Sequence, residues 1–107
     1  MPGAGNSVEI EAPAPHAVVV VRGEIDIATS PDLDTAVADV LAEPTESLTV
    51  DLAAVTFMGS SGLASLLRAQ RLVREQGGRF CVGAPSRAVS DLFQMTHLTE
   101  RFEIADP

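Results

Sequence analysis

The sequence lacks several residue types that common functions require. It has no lysine, tryptophan or tyrosine, one cysteine, Cys81, and two histidines. Without lysine it cannot contain a phosphate-binding loop of the GxxxxGK type, and the GxGxxG dinucleotide motif is also absent. Cys81 cannot form an internal disulfide, and one cysteine with two histidines argues against a zinc site. The composition therefore predicts a protein without a metal or cofactor.

Long apolar runs and export signals are also missing. No stretch is long enough to span a membrane, and the N-terminus lacks the charged and apolar regions of a signal peptide. The 107 residues, 46% of them apolar, are sufficient for one domain with a real core. We therefore expect a single cytoplasmic domain, and nothing in the sequence indicates more than a monomer.

Positive charge is scarce and unevenly placed. The net charge is −8, and all seven basic residues are arginines. Residues 1–53 carry ten acids against Arg22 alone, whereas residues 54–107 carry five acids and six arginines. Nucleic acids and anionic membranes both need a basic face, so neither is an expected partner. The acidic half either steers a basic partner or forms a solvated surface.

Hydrophobic periodicity predicts an α/β fold with the element order ββαβαβαβ. Continuous β-branched runs indicate buried strands, and stripes at i, i+4 and i+7 indicate amphipathic helices. Their alternation predicts a mostly parallel central sheet covered by helices. A domain is expected over residues 8–106 and a flexible N-terminus over 1–7. The strands are predicted at 8–12, 17–23, 47–58, 79–84 and within 99–107, and the strand at 17–23 is expected to be buried on both faces. Ser30 is predicted to cap the first helix, with Pro31 at its first position. The second helix begins near the serine pair at 60–61, and Ser86 is a candidate cap for a short helix over 86–95.

The stretch "FMGSSGL", residues 57–63, places two serines between two glycines where a strand leads into a helix. A nucleophile elbow of the GxSxG type would need a glycine at Leu63. The only candidate bases are His16 and His97, which we interpret as surface residues. One serine can cap the helix, but a cap does not explain Gly62. A glycine there leaves the backbone open to another molecule's active site.

Three stretches together resemble a known family, the anti-sigma factor antagonists, which are single STAS domains. They are "VRGEIDIATSPDL", "LTVDLAAVTFMGSSGLASLL" and "GGRFCVGAPSRAVSDLFQMTHLTERFEI". The resemblance covers residues 8–106. It depends on the G-E-[IL]-D and D-L…F-[MI]-x-S-S-G-L elements, which occur in the order and at the spacing of the family.

The resemblance implies a partner switch rather than an enzyme. An antagonist of this family binds an anti-sigma factor, which is also a serine kinase, and the sigma factor is released. The kinase inactivates the antagonist by phosphorylating the serine that matches Ser61, and a serine phosphatase reverses this. The sequence departs from the family at Gly59, where an acid is common. The residues expected to bind the partner are Asp26, Thr29, Gly59, Ser60, Ser61 and Gly62.

Two other functions are compatible with parts of the sequence. A STAS domain can be a scaffold or a subunit of a larger regulatory or transport complex that is never phosphorylated. A small enzyme or nucleotide binder on the same kind of sheet is a third possibility, against which the missing base, phosphate loop and metal ligands argue. Arg68, Arg71 and Arg74 form a stripe on the second helix, which is either a contact for an acidic partner or a solvated face.

Overall fold

The structure is a computed structural model that describes residues 6–105. Five strands and three helices follow one another in the predicted order. The elements are β1 Ser7–Ala12, β2 His16–Ile25, α1 Ser30–Leu41, β3 Ser47–Met58, α2 Ser60–Glu75, β4 Arg79–Gly83, α3 Arg87–Met95 and β5 Glu103–Ala105. The N-terminus expected to be flexible falls mostly outside the described residues, but Ser7 already belongs to β1.

The five strands form one sheet in the spatial order β1-β2-β3-β4-β5. β1 is an edge strand that pairs with β2 in antiparallel orientation, and β2 to β5 are parallel to one another. The mostly parallel sheet is therefore confirmed. Each parallel pair is joined through a helix, as the crossover between parallel strands requires.

The helices cover one face of the sheet, not both. The core contains alternate residues of the parallel strands, such as Val19 of β2, Val50 of β3 and Val82 of β4, together with residues of all three helices. Successive strands are added in the same direction along the sheet, and right-handed crossovers then place every helix on the same side. The expectation of a sheet covered by helices thus holds for one face.

On the opposite face of the sheet, burial varies from residue to residue. Val20 and Cys81 are buried although neither belongs to the main core, and Val18 is half-buried. The prediction that β2 is buried on both faces therefore holds for part of the strand. Cys81 is a buried free thiol, as its apolar surroundings in the sequence indicate.

The aromatic residues are divided between core and surface. Phe102 contacts Phe93 with ring centroids 5.1 Å apart and Phe80 with centroids 6.0 Å apart. All three rings are buried, whereas the fourth phenylalanine, Phe57, is exposed. These three rings form one aromatic cluster, which packs β4, α3 and the segment that leads into β5 against one another.

β2 and β3 extend beyond the rest of the sheet. The pairing of β3 with β4 ends at Asp51 and Gly83, but β3 continues beside β2 until Met58 meets Ile25. β2 was predicted to end at Gly23, which has a φ of +86° and lies at a register shift in the ladder. Gly23 therefore lies at a bulge inside β2 and does not end the strand. The two-stranded extension carries the loops that form the candidate site.

Candidate functional site at the start of the second helix

The predicted site residues lie on two neighbouring loops at the carboxyl ends of β2 and β3. The backbone N–H of Gly59, just after β3, donates to the carbonyl oxygen of Ile25 at 2.8 Å. This hydrogen bond joins the loop that contains Asp26 and Thr29 to the start of α2. The structure therefore brings all six predicted site residues to one end of the sheet.

Asp26 and Thr29 hold the first loop in shape. The Asp26 carboxylate accepts hydrogen bonds from the backbone N–H of Ala28 at 2.9 Å and of Thr29 at 3.1 Å. The Thr29 hydroxyl accepts from the N–H of Asp26 and donates to the carbonyl oxygen of Glu24, both at 2.9 Å. These contacts lie within the loop and the adjoining end of β2, so both side chains first hold the loop in shape.

The same hydrogen bonds keep Asp26 charged. The backbone N–H of Ala28, followed by that of Thr29, lowers the pKa of the Asp26 carboxyl below its ordinary value, because both groups stabilise the ionised form. The loop therefore carries a fixed negative charge at neutral pH. Glu24, an exposed residue near the end of β2, adds a second acid.

α1 and α2 do not start as the sequence indicated. The N-cap of α1 is Thr29 rather than Ser30, and Pro31 is the second helical residue rather than the first. The N-cap of α2 is Gly59, with no side-chain cap, so neither serine of the pair serves as the cap. By contrast, Ser86 caps α3 as predicted, accepting from the N–H of Val89 at 3.3 Å.

Ser60 and Ser61 are the first two residues of α2. Ser60 is exposed and Ser61 is half-buried, and neither takes part in the side-chain hydrogen bonds found within residues 6–105. The N–H groups of a first helical turn have no partners inside the helix, and they favour a negative charge nearby. Both hydroxyls thus stand where an added phosphate is electrostatically tolerated.

Gly62 has a packing role that sequence reasoning missed. It is buried, and a Cβ at this position would lie 2.6 Å from Cγ2 of Ile25 and 2.9 Å from Cγ of Met58. Only glycine lets α2 approach the ends of β2 and β3 this closely. The interpretation of Gly62 as an opening for another molecule is therefore replaced by a packing requirement.

Two large apolar side chains border the site, and sequence reasoning missed both. Ile27, in the first loop, is 84% exposed, and Phe57, two residues before Gly59, is 52% exposed. The Phe57 ring lies 3.5 Å from the position that a Cβ on Gly59 would occupy. Successive residues of a strand point to opposite faces. Because Met58 faces inward, the sequence could have indicated that the preceding residue, Phe57, faces outward.

Neither histidine forms a hydrogen bond with the serine pair within residues 6–105. His16 begins β2, at the opposite end of the sheet, where its Nδ1 lies 3.0 Å from the Ser47 hydroxyl. His97 follows the end of α3, two residues after Met95. Within residues 6–105 no group of His, Cys, Asp and Glu side chains could hold a metal ion, and no helix of that range has the length and apolarity to cross a membrane.

Comparison with known proteins identifies the family. The family model described as "STAS domain" matches residues 7–106, nearly the whole chain. The chain belongs to the STAS domain family. The resemblance noted in the sequence is therefore confirmed, and the STAS domain accounts for the five-stranded, mostly parallel sheet and its three helices.

Two relatives of this STAS domain are named as anti-sigma factor antagonists. The anti-sigma-B factor antagonist of Listeria monocytogenes is 30% identical over 99 residues, which span 92% of this chain and 87% of that protein. The anti-sigma-F factor antagonist RsfB of Mycobacterium tuberculosis is 44% identical over 50 residues. That match spans 47% of this chain and only 41% of the relative's length.

Solved structures agree with the fold. The crystal structure of an anti-sigma factor antagonist from Mycobacterium paratuberculosis has a TM-score of 0.80 at 34% identity, covering 92% of this chain and 83% of that one. The antagonist SpoIIAA in its unphosphorylated form also gives 0.80, at 20% identity over 94% of this chain and 88% of that one. At that identity the second likeness concerns the fold alone.

Proposed function

We propose that this STAS domain is an anti-sigma factor antagonist switched off by phosphorylation of Ser61. In its unmodified form it binds an anti-sigma factor that is also a serine kinase, and the sigma factor held by that protein is released. The observation that carries the proposal is the position of Ser61 in the first turn of α2, which has no side-chain cap, at the end of the sheet where Ile27 and Phe57 are exposed. The names of the relatives support the same function.

The proposed docking surface has an apolar centre and a charged margin. Ile27 and Phe57 supply the large exposed side chains that commonly anchor a protein interface. Asp26 and Glu24 lie at its edge and favour a partner with complementary basic groups. Ser60 and Ser61 directly follow Gly59, which Phe57 adjoins, so a kinase bound here has its substrate hydroxyl beside the contact area.

The proposed chemical step is a phosphoryl transfer from ATP. The Ser61 oxygen forms a bond to the γ-phosphorus, ADP leaves, and a base of the kinase accepts the hydroxyl proton. A serine phosphatase reverses the modification by hydrolysing the ester to serine and inorganic phosphate. This protein supplies only the acceptor hydroxyl, so the proposal assigns it no catalytic residue and no cofactor.

Phosphorylation acts on binding through charge. A phosphoserine carries about −1.5 to −2 charges at neutral pH. The helix N-terminus tolerates this charge, but the neighbouring Asp26 and any acid on the partner are repelled by it. The bulky, hydrated group also separates the apolar anchors from the surface they contact. We therefore propose that the fold persists and that the complex dissociates.

The experiment is a capture from lysate of the native host with three baits. Unmodified protein should retain a kinase-like anti-sigma factor, Ser61→Glu should lose it, and Ser60→Glu should retain more of it than Ser61→Glu. The recovered protein is then purified and incubated with the antagonist and ATP, and the modified residue is located by mass spectrometry. Phosphate on Ser61 supports the switch.

The scaffold alternative predicts different results from the same baits. Gly59, which stands where the family commonly has an acid, is the feature that favours it. If all baits retain the same partner, or if Ser61 stays unmodified with a kinase that binds, the protein is a constitutive scaffold or subunit. If no bait retains an anti-sigma factor, the antagonist function itself is wrong.

A further inference from the structure

We propose that a groove along α2 binds an acidic segment of a partner protein. The groove lies between α2 and the segment that leads into β5, and its volume is about 710 Å³. It is distinct from the serine site, because it begins at Ala64, about one helical turn after Ser61. The residues that define this arginine groove are the four arginines Arg68, Arg71, Arg74 and Arg101, with Ala64 and Leu67 between them.

A buried glutamine fixes one wall of the groove. Gln70 interrupts the apolar face of α2, and its side chain is only 3% exposed. Its amide nitrogen donates to the backbone carbonyl oxygen of Arg101 at 2.6 Å. This contact ties the chain between α3 and β5 to the middle of α2. The side chain of Arg101 therefore joins those of α2 along one groove.

The groove concentrates positive charge in an acidic protein. Four of the seven arginines line it, against one acid, Glu75. Arg68, at one margin, pairs with Asp34 at 2.9 Å, and Arg71 approaches Glu75 only to 4.0 Å. Arg74 and Arg101 form no ion pair within residues 6–105. At least two guanidinium groups thus remain available on a molecule whose net charge is −8.

The side chains that line the groove indicate what kind of ligand it binds. Each guanidinium can bind a carboxylate through two parallel hydrogen bonds, while the half-buried Ala64 and Leu67 offer an apolar floor. From Ala64 to Arg74, α2 rises about 15 Å, which roughly five residues of extended chain can follow. The ligand is therefore a short segment in which acidic and apolar side chains alternate.

A nucleic acid does not fit the same site. Its phosphates would approach a small basic groove on a strongly acidic molecule, and the surrounding field repels a long polyanion. A protein segment places only a few carboxylates in the groove and keeps the rest of its partner at a distance. Charge complementarity therefore favours an acidic protein segment.

The test is a titration of ¹⁵N-labelled full-length protein with the synthetic peptide (Glu-Leu-Asp-Ala)₃, followed by amide chemical shifts. We expect saturable shifts at Ala64, Leu67, Arg71 and Arg101. Arg74→Glu should weaken binding by about fivefold or more, because it replaces an attraction by a repulsion. Arg87→Glu is the matched control, since it makes the same charge change at an exposed position of α3.

Three other results of this titration would contradict the proposal that the groove binds an acidic segment. Absence of shifts at these amides means that the arginines form a solvated face. Equal weakening by Arg74→Glu and Arg87→Glu means that net charge alone attracts the peptide. Equivalent shifts with inorganic phosphate mean general anion binding. The peptide needs neither a kinase nor Ser61, so a failure here is distinguishable from a failure of the antagonist function.

Discussion

Gly62 of α2 rests directly on Ile25 of β2. A Cβ on this glycine would lie 2.6 Å from the Ile25 Cγ2 atom, closer than two such carbons can approach. The backbone hydrogen bond from Gly59 to Ile25, at 2.8 Å, fixes the same junction from the other side. The start of α2 and the loop after β2 therefore form one rigid unit, which holds the serine pair in place.

Replacing Gly62 should destabilise the fold. Overpacking costs about 1–3 kcal/mol, and alanine regains about 1 kcal/mol of helix propensity, so Gly62→Ala should lower the free energy of unfolding by about 1 kcal/mol. Gly62→Val should cost more. Urea denaturation measures both, with Ser60→Ala as the exposed control in the same turn. Unchanged stability for Gly62→Val would contradict the packing role.

Restoring an acid at Gly59 should stabilise α2. The residue is extended, with φ −89° and ψ −179°, and a Cβ there meets nothing closer than 3.5 Å. An aspartate can accept from first-turn N–H groups, so Gly59→Asp should add about 0.5–1 kcal/mol at neutral pH. This gain should disappear as the pH falls through the lowered pKa of the new carboxyl. Gly59→Asn, which has no such titration, is the control in thermal or urea unfolding.

The charge on Asp26 should stabilise the first loop in a pH-dependent way. Its pKa is lower in the folded protein than in the unfolded chain. The stabilisation is therefore complete above the ordinary aspartate pKa and is lost as the pH falls through the folded value. Asp26→Asn should destabilise the protein at pH 7 and make little difference under strongly acidic conditions. Urea titrations at both pH values, with Asp39→Asn as an exposed control, measure the difference.

The exposed pair Ile27 and Phe57 should contribute to binding rather than to folding. Substituting either by serine should weaken binding of the anti-sigma factor recovered from the host by about tenfold, because a central apolar anchor typically contributes more than 1 kcal/mol. Thermal stability should hardly change. Met95→Ser is the matched control, since Met95 is 78% exposed at the end of α3. Calorimetric titration would reveal equal affinities if the apolar pair is not part of the interface.

Phosphorylation of Ser61 should leave the sheet unchanged. The modified residue lies at the start of a helix, where negative charge is favourable, and none of the core residues has to move. Backbone amide spectra of the two forms should overlap except at the start of α2 and in the loop around Asp26. Shifts spread through β3 and β4 would indicate a change of fold instead.

Much of the architecture follows from local patterns. The strand over residues 47–58 and the helix capped by Ser86 were predicted at the bounds that the structure has, because continuous apolar runs and a serine after proline are strong local signals. The single covered face of the sheet was not predicted. It depends on the spatial order of the strands, which no local pattern specifies.

The site was harder to predict because its glycines have three different roles. Gly23 permits a bulge inside β2, Gly59 is the N-cap of α2 but has no side chain to cap it, and Gly62 allows close packing on Ile25. In the sequence they are the same residue type near the ends of strands. Only the tertiary contacts distinguish them, and the exposure of Ile27 likewise depends on the conformation of its loop.

The division of the four phenylalanines makes this protein suited to fluorine spectroscopy. Phe80, Phe93 and Phe102 lie together in the core, and Phe57 alone is at the surface beside Gly59. Protein labelled with fluorophenylalanine should therefore give three resonances that report on the interior and one that reports on docking. One spectrum can then distinguish loss of partner binding from loss of the folded state, without tryptophan or an added dye.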